Sequence, residues 1–190
     1  MRIISGSARG VRLKPPAENL PVRPTTDRVK EAMFSIIQFD IKGTVLDLFA
    51  GTGQLGLEAL SRGAQKCIFC DHDEHSCAIV RENITRAHMQ DRAVLLHTDY
   101  KRYLKHTCTE QFDVVFSNVF IDPPYQTGLS DKALTYLSDG ALLTPDSIIV
   151  VECACEEKKP EKAGVLSLKR RYTYSGVSVL IYTKEGNELV

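Results

Sequence analysis

Four consecutive residues, Asp122-Pro123-Pro124-Tyr125, combine groups that can hold an aromatic amine. Two adjacent prolines donate no backbone hydrogen bonds and keep the chain extended. They leave the Asp122 carboxylate and the Pro123 carbonyl as paired acceptors, and Tyr125 sets a flat ring beside them. The amino group of a nucleic-acid base is a poor nucleophile, because its lone pair is delocalised into the ring. Two acceptors on its two N–H bonds favour a pyramidal nitrogen whose lone pair can be aimed. A base stacked on the Tyr125 ring would gain about 1–3 kcal/mol. Catalysis at such a site is positioning and electrostatics, provided the electrophile arrives activated. Asp122, Pro123 and Tyr125 are the candidate catalytic residues.

A carrier for that electrophile has a candidate place in Asp47-Leu48-Phe49-Ala50-Gly51-Thr52-Gly53-Gln54-Leu55-Gly56. Glycines allow positive φ and close approach of the backbone to a ligand. Residues 51–56 also satisfy G-x-G-x-x-G, the dinucleotide fingerprint. Two details favour S-adenosylmethionine over NAD. The Asp47 carboxylate would repel a pyrophosphate but suits the α-ammonium of a methionine moiety. No basic residue lies within the turn to balance two phosphates. Asp71, about 20 residues beyond the glycines, can accept ribose hydroxyls from either cofactor and does not discriminate.

Six cysteines are present, at 67, 70, 77, 108, 153 and 155. Without a secretion signal they read as reduced thiols. Cys67 and Cys70 form a C-x-x-C inside the apolar run KCIFC. Strand positions three apart point to opposite faces, so the two thiols diverge and no metal site is expected. No apolar run approaches the roughly 20 residues that span a bilayer. No signal peptide is legible, so the cytoplasm is the expected location and no membrane partner is expected.

The elements that must position these residues follow from periodicity. MRIISGSARGVRLK reads as two short strands around a turn, and Pro15, Pro16 and Pro21 make an irregular linker. Pro24-Thr25-Thr26 opens a helix, with Val29, Ala32, Met33, Ile36 and Ile37 on one apolar face. From residue 44 strands and helices alternate. Strands are predicted at 44–49, 66–70, 93–97, 112–121 and 147–153, and helices from the glycine turn and at 74–89, 99–105 and 129–138. Such alternation implies an α/β fold with parallel strands joined by helical crossovers. LSLKRRYTY and GVSVLIY, separated by Ser175-Gly176, predict an antiparallel hairpin that finishes the sheet.

Net charge is zero but unevenly spread. Residues 1–30 hold seven basic residues (Arg2, Arg9, Arg12, Lys14, Arg23, Arg28, Lys30) and two acidic ones, an excess of +5 that the rest of the chain balances. One basic end on a neutral chain suggests a patch that meets phosphates, and Arg9, Arg12, Arg23 and Arg28 are the candidate RNA contacts.

The two motifs together resemble the class I S-adenosylmethionine-dependent amino-methyltransferases. More closely, the chain resembles the RsmD-type guanine-N2 methyltransferases of small-subunit ribosomal RNA. The likeness runs through RIISGSARGVRL, residues 23–31, LDLFAGTGQLGLEALSRGA (46–64), Asp122-Pro123-Pro124-Tyr125 and Tyr174-Ser175-Gly176. It implies a Rossmann-like, mostly parallel seven-stranded sheet with an antiparallel last strand, plus an N-terminal β-hairpin and helix. Residues 1–190 are expected to form a single methyltransferase domain, with residues 1–24 a basic hairpin arm and 25–190 the core. The likeness further implies that Asp47, Ala50, Gly51 and Gly53 hold the methionine part of S-adenosylmethionine, that Phe49 also contacts the cofactor, and that Asp71 holds the ribose. Asp99 and Tyr100 would lie at the adenine. The implied partner is ribosomal RNA or the assembling small subunit, and a monomer is expected. Two departures stand out. The strand before the catalytic loop, FDVVFSNVFIDPPY, carries four more residues than is usual, which preserves its two-residue parity. Asp71 stands where glutamate is more usual, and the shorter acid reaches less far. A DNA adenine-N6 methyltransferase could share the Asp-Pro-Pro-Tyr geometry, but the chain has no room for a separate sequence-reading domain. An NAD-dependent oxidoreductase would leave Asp-Pro-Pro-Tyr unexplained, and a non-catalytic RNA-binding module would not need Asp122.

Overall fold

Eight strands make one sheet in the computed structural model, which describes residues 1–16, 26–109, 114–174 and 176–185. In chain order the elements are α1 (Asp27–Ile36), β1 (Thr44–Asp47), α2 (Gln54–Ser61), β2 (Lys66–Asp71), α3 (Glu74–Arg86), β3 (Ala93–His97), α4 (Tyr100–Thr109), β4 (Phe116–Ile121), α5 (Leu129–Leu137), β5 (Leu143–Ala154), β6 (Lys162–Ala163), β7 (Leu166–Tyr174) and β8 (Val177–Lys184). The sheet order is β3-β2-β1-β4-β5-β8-β7-β6. Strands β1 to β5 run parallel, and β8 is antiparallel to both β5 and β7. The hairpin of the last two long strands forms as expected, and its final strand lies between β5 and β7. The eighth strand, beyond the expected seven, is β6. Two residues carry no period, so nothing in the sequence marks it.

Helices cover both faces. Val29, Met33 and Phe34 of α1, Leu57 and Leu60 of α2, and Val80 and Ile84 of α3 pack with Val45, Phe69, Phe120 and Val150 on one side. Leu104 of α4 and Ala133, Leu134 and Leu137 of α5 pack with Leu46, Ile68, Val119 and Ile149 on the other. Burial on both faces is why these strands read as unbroken apolar runs rather than alternations. Cys67 belongs to the first layer and Cys70 to the second, so the C-x-x-C thiols do diverge. Burial pushes the Cys70 thiol up to about 12.

Helix α1 starts where Thr26 caps it, its hydroxyl accepting from the Val29 amide at 3.3 Å. Pro24, Thr25 and Arg23 lie outside the described residues. The charge count placed Lys30 in the basic patch, and the structure corrects this. Its side chain is fully buried, with Nζ 3.4 Å from the Glu58 carboxylate and donating to the Arg2 carbonyl.

The N-terminal hairpin forms with one bridge, Arg2 to Arg12, and Ile3 and Val11 amide and carbonyl groups pair across it. It is a docked segment. Ile3 and Leu13 enter the core, the amides of Ile4 and Ser5 donate to Glu58 at 2.8 and 3.0 Å, and the Ala8 amide donates to Ser61 Oγ.

Candidate active site

Between β1 and β4 the strand order reverses direction, and in open α/β sheets ligands bind at the carboxyl ends of strands at such a point. Both motifs sit there. The glycine turn follows β1 and Asp122 follows β4. The two strands are in register from Val45 and Asn118 through Asp47 and Phe120, and the Leu48 amide then donates to the Phe120 carbonyl at 3.1 Å. The four extra residues before Asp122 leave this pairing intact. The irregularity falls earlier, between Phe116 and Asn118, whose partners on β5 jump from Leu143 to Ile148. Between these pairs β5 advances from 143 to 148 while β4 advances from 116 to 118, so the offset lies in β5 itself, and the Asp122–Tyr125 loop stays level with the glycine turn.

Local backbone needs explain the glycines. Gly53 caps α2 with φ +77°, a left-handed conformation that disfavours a side chain. At Gly56 a Cβ would come 2.3 Å from the Phe69 ring and 2.6 Å from Cys67 Sγ, so α2 lies against β2 only without one. Asp47 is 1% exposed, and its Oδ2 accepts from the Gly56 amide at 2.9 Å. Burial raises its carboxyl to about 7, against the opposing Gly56 hydrogen bond and with the Asp71 charge adding to the rise. Asp71 reaches the same turn. Its Oδ2 accepts from the Gly51 amide at 2.7 Å and its Oδ1 from the Asp73 amide at 2.9 Å. Asp99 caps α4, accepting from the amides of Lys101 and Arg102. Tyr100 packs on Phe49 with ring centroids 5.1 Å apart and meets Tyr136 edge-on at 6.4 Å.

Asp47, Phe49, Ala50, Gly51, Gly53, Asp71, Asp99 and Tyr100 thus gather at the ends of β1 to β3, with the Asp122–Tyr125 loop beside them. Three acids, two aromatic rings and open glycine backbone fit an amino acid joined to a ribose and a flat base. The same acids oppose a pyrophosphate. A cleft of about 530 Å³ opens elsewhere, between β3 and α4, lined by Leu95, His97, Arg102, Tyr103 and His106. None of the glycine-turn residues lines it, though Arg102, whose amide bonds Asp99, does. Among the described residues no group of three or more His, Cys, Asp or Glu is gathered as metal ligands.

In the Asp122–Tyr125 loop Pro123 is buried and Asp122 half-buried. The Pro124 carbonyl accepts from the Thr127 hydroxyl at 2.7 Å. The Tyr125 hydroxyl, to which sequence reasoning gave no role, donates to Glu152 Oε1 at 2.7 Å. Glu152 on β5 is 2% exposed and was not foreseen. Its only signal was a lone acid inside SIIVVEC. Asn83 was missed too. Its side chain bonds the backbone of Lys14 and, through Nδ2, the Thr52 carbonyl at 2.9 Å, joining the hairpin to the glycine turn. Arg9, Arg12 and Arg28 are exposed, and Arg23 lies outside the described residues.

Comparison with known proteins bears on the family and the fold. A family model described as conserved hypothetical protein 95 matches residues 1–183. YlbH of Bacillus subtilis is 40% identical over 188 residues, covering 98% of this chain and 100% of its own. The ribosomal RNA small subunit methyltransferase D of Haemophilus influenzae is 36% identical over 163 residues, covering 84% of this chain and 81% of that one. The solved structure of yhhF from Escherichia coli superposes with a TM-score of 0.83 at 30% identity, covering 98% of this chain and 99% of that chain.

Proposed function

The chain belongs to the conserved hypothetical protein 95 family, that of the ribosomal RNA small subunit methyltransferases D, and from this premise we propose that it methylates the exocyclic N2 amine of a guanine in small-subunit ribosomal RNA, with S-adenosylmethionine as donor. The observation that carries the reading is the unbroken β1–β4 register, which sets the Asp122–Tyr125 loop level with the glycine turn.

When bound, S-adenosylmethionine supplies a methyl group activated by a positive sulfur. The chain's residues do the rest. Asp47 and Asp71 line the turn with carboxyl oxygens, acceptors suited to the α-ammonium and the ribose hydroxyls. Asp99 and Tyr100 flank the adenine, with Phe49 packed beneath Tyr100. The Asp122 carboxylate and the Pro123 carbonyl accept the two N–H bonds of the amine and turn its lone pair toward the methyl. As the nitrogen–methyl bond forms and the methyl's bond to sulfur breaks, the Asp122 carboxylate would stabilise the positive charge on nitrogen and could accept the proton that nitrogen sheds. Tyr125 stacks on the base while its hydroxyl, held by Glu152, fixes the ring's direction.

Ribosomal RNA or the assembling small subunit is the partner in this reading, and the cytoplasm its location. Among the described residues no helix is long and apolar enough to cross a membrane. The test is incubation of the protein with radiolabelled S-adenosylmethionine and either bulk RNA or small subunits from a strain lacking the enzyme. Nucleoside analysis should give N2-methylguanosine. Label in N6-methyladenine would instead move the case to an adenine methyltransferase.

A further inference from the structure

Strand β7 carries Lys169-Arg170-Arg171-Tyr172-Thr173-Tyr174, and the reaction above uses none of it. The three basic residues are exposed and both tyrosines are half-buried. Sheet register says where they point. Glu152 of β5 lies opposite Val179 of β8, and Val179 lies opposite Tyr172. Residues paired across a sheet share a face, so Tyr172 stands on the same face as Glu152. That places its backbone about 10 Å away, two strand spacings across. The next rows obey the same parity. Ala154, Val177 and Tyr174 align on one side, and Val150, Ile181 and Arg170 on the other. Arg170 Nη1 donates to the Tyr172 hydroxyl at 3.3 Å.

This facing depends on an irregularity. The register of β7 shifts between Leu168, opposite Tyr182, and Arg170, opposite Ile181. Without that extra residue, Lys169 would pair with Ile181 and the tyrosines would turn to the other face, because a one-residue slip inverts every side chain beyond it. The bulge therefore aims an arginine and two aromatic rings at the face where Glu152 holds Tyr125.

Resting on the methyltransferase reading, we propose that Arg170, Tyr172 and Tyr174 form a platform for the single-stranded nucleotides that flank the target base. A base can reach Asp122 only when it is out of its stack. Its neighbours then lose a stacking partner, and the rings of β7 replace it. The two tyrosines are one strand repeat apart, about 7 Å, and the neighbouring arginine meets the backbone phosphates.

The chain has no tryptophan, so Tyr172→Trp installs a unique fluorophore in the platform. Titration of that variant with a single-stranded RNA oligonucleotide should quench its emission. Tyr172→Ala and Tyr174→Ala should each raise the KM for ribosomal RNA about 5- to 150-fold, the range for one stacked base. Tyr172→Phe and Tyr174→Phe should restore it. Affinity for S-adenosylhomocysteine, measured by calorimetry, should stay at the wild-type value in every variant and so report an intact fold. Arg170→Gln should lower the salt slope of RNA binding by up to about one unit. Unquenched emission, with both alanine variants at wild-type KM, would overturn the platform. Failure of the methylation reading looks different. The wild-type protein would transfer no methyl to ribosomal RNA while the tryptophan at position 172 was still quenched, and that quenching would still support the platform.

Discussion

In the proposed reaction Asp122 accepts the amine's hydrogen bond and faces the charge that develops on nitrogen, and that role can be tested. Asp122→Ala should lower turnover about 10²–10³-fold, the cost of removing one preorganised transition-state interaction. S-adenosylhomocysteine binding should persist, since the proposed cofactor residues follow β1 to β3 rather than lying in this loop. An active Asp122→Ala enzyme would remove the amine-acceptor role. Tyr125 separates two contributions. Sequence reasoning expects Tyr125→Phe to be silent, because the ring face is the contact. The hydroxyl's bond to buried Glu152 argues otherwise. Tyr125→Phe should cost about 10- to 150-fold in turnover, the 1.5–3 kcal/mol of a hydrogen bond to a charged group. Wild-type rates would return the role to the ring alone. Asp47 carries a pH signature. Burial raises its carboxyl from the ordinary 3.8 to about 7, so its stabilising effect is complete below about pH 4 and is lost as pH rises through 7. The melting temperature of Asp47→Asn relative to wild type should therefore increase between pH 5 and pH 8. A constant difference across that range would show that Asp47 is not held protonated. The acids at 47, 71 and 122 were legible because a charge at a strand's end is conspicuous. Glu152 was not, because its partner lies 27 residues away and only the fold unites them.

Elements were legible to the extent that they carry a period. Helices α2, α3 and α5 and strands β2, β3 and β7 fall within a few residues of their expected positions, because the run lengths and flanking turns mark them. Early entry of β5 at Leu143 and the two-residue β6 were not, since neither has a repeat to read. The sharpest miss is Lys30, whose burial depends on a partner in another helix. Glu58 is fully buried as well, and its carboxylate gathers Lys30, the Arg62 Nε at 2.8 Å, and the amides of Ile4 and Ser5. One side chain thus ties α1, α2 and the N-terminal hairpin. Glu58→Gln leaves the Lys30 ammonium buried without its counter-charge and should destabilise the protein by about 3–5 kcal/mol. Adding Lys30→Met removes the stranded charge, so the double variant should recover part of the loss. Denaturant midpoints would show this, and a double loss equal to the sum of two single losses would mean the pair is not coupled.

At the scale of the whole molecule, charge is the feature that composition hides. The chain is neutral overall, yet Arg9 and Arg12 are exposed on a hairpin that the core itself holds in place. A docked hairpin presents its arginines at a fixed position relative to the glycine turn, through Asn83 and the Thr52 carbonyl. A tethered arm would not. It follows that cutting the hairpin away is a poor test of RNA binding, since it would also strip Ile3 and Leu13 from the core. Substituting both arginines, Arg9→Ala with Arg12→Ala, leaves that packing alone. Each phosphate that goes unneutralised should reduce the slope of log affinity against log salt by about 0.7–0.9. The pair should therefore flatten the slope by roughly 1.5 and weaken binding most at low salt. S-adenosylhomocysteine affinity and thermal stability should not move, because neither side chain touches the core. Measured by RNA titration from low to physiological salt, an unchanged slope would reduce the hairpin to a cap on α2 and α3. The basic excess of residues 1–30 would then have no part in holding RNA.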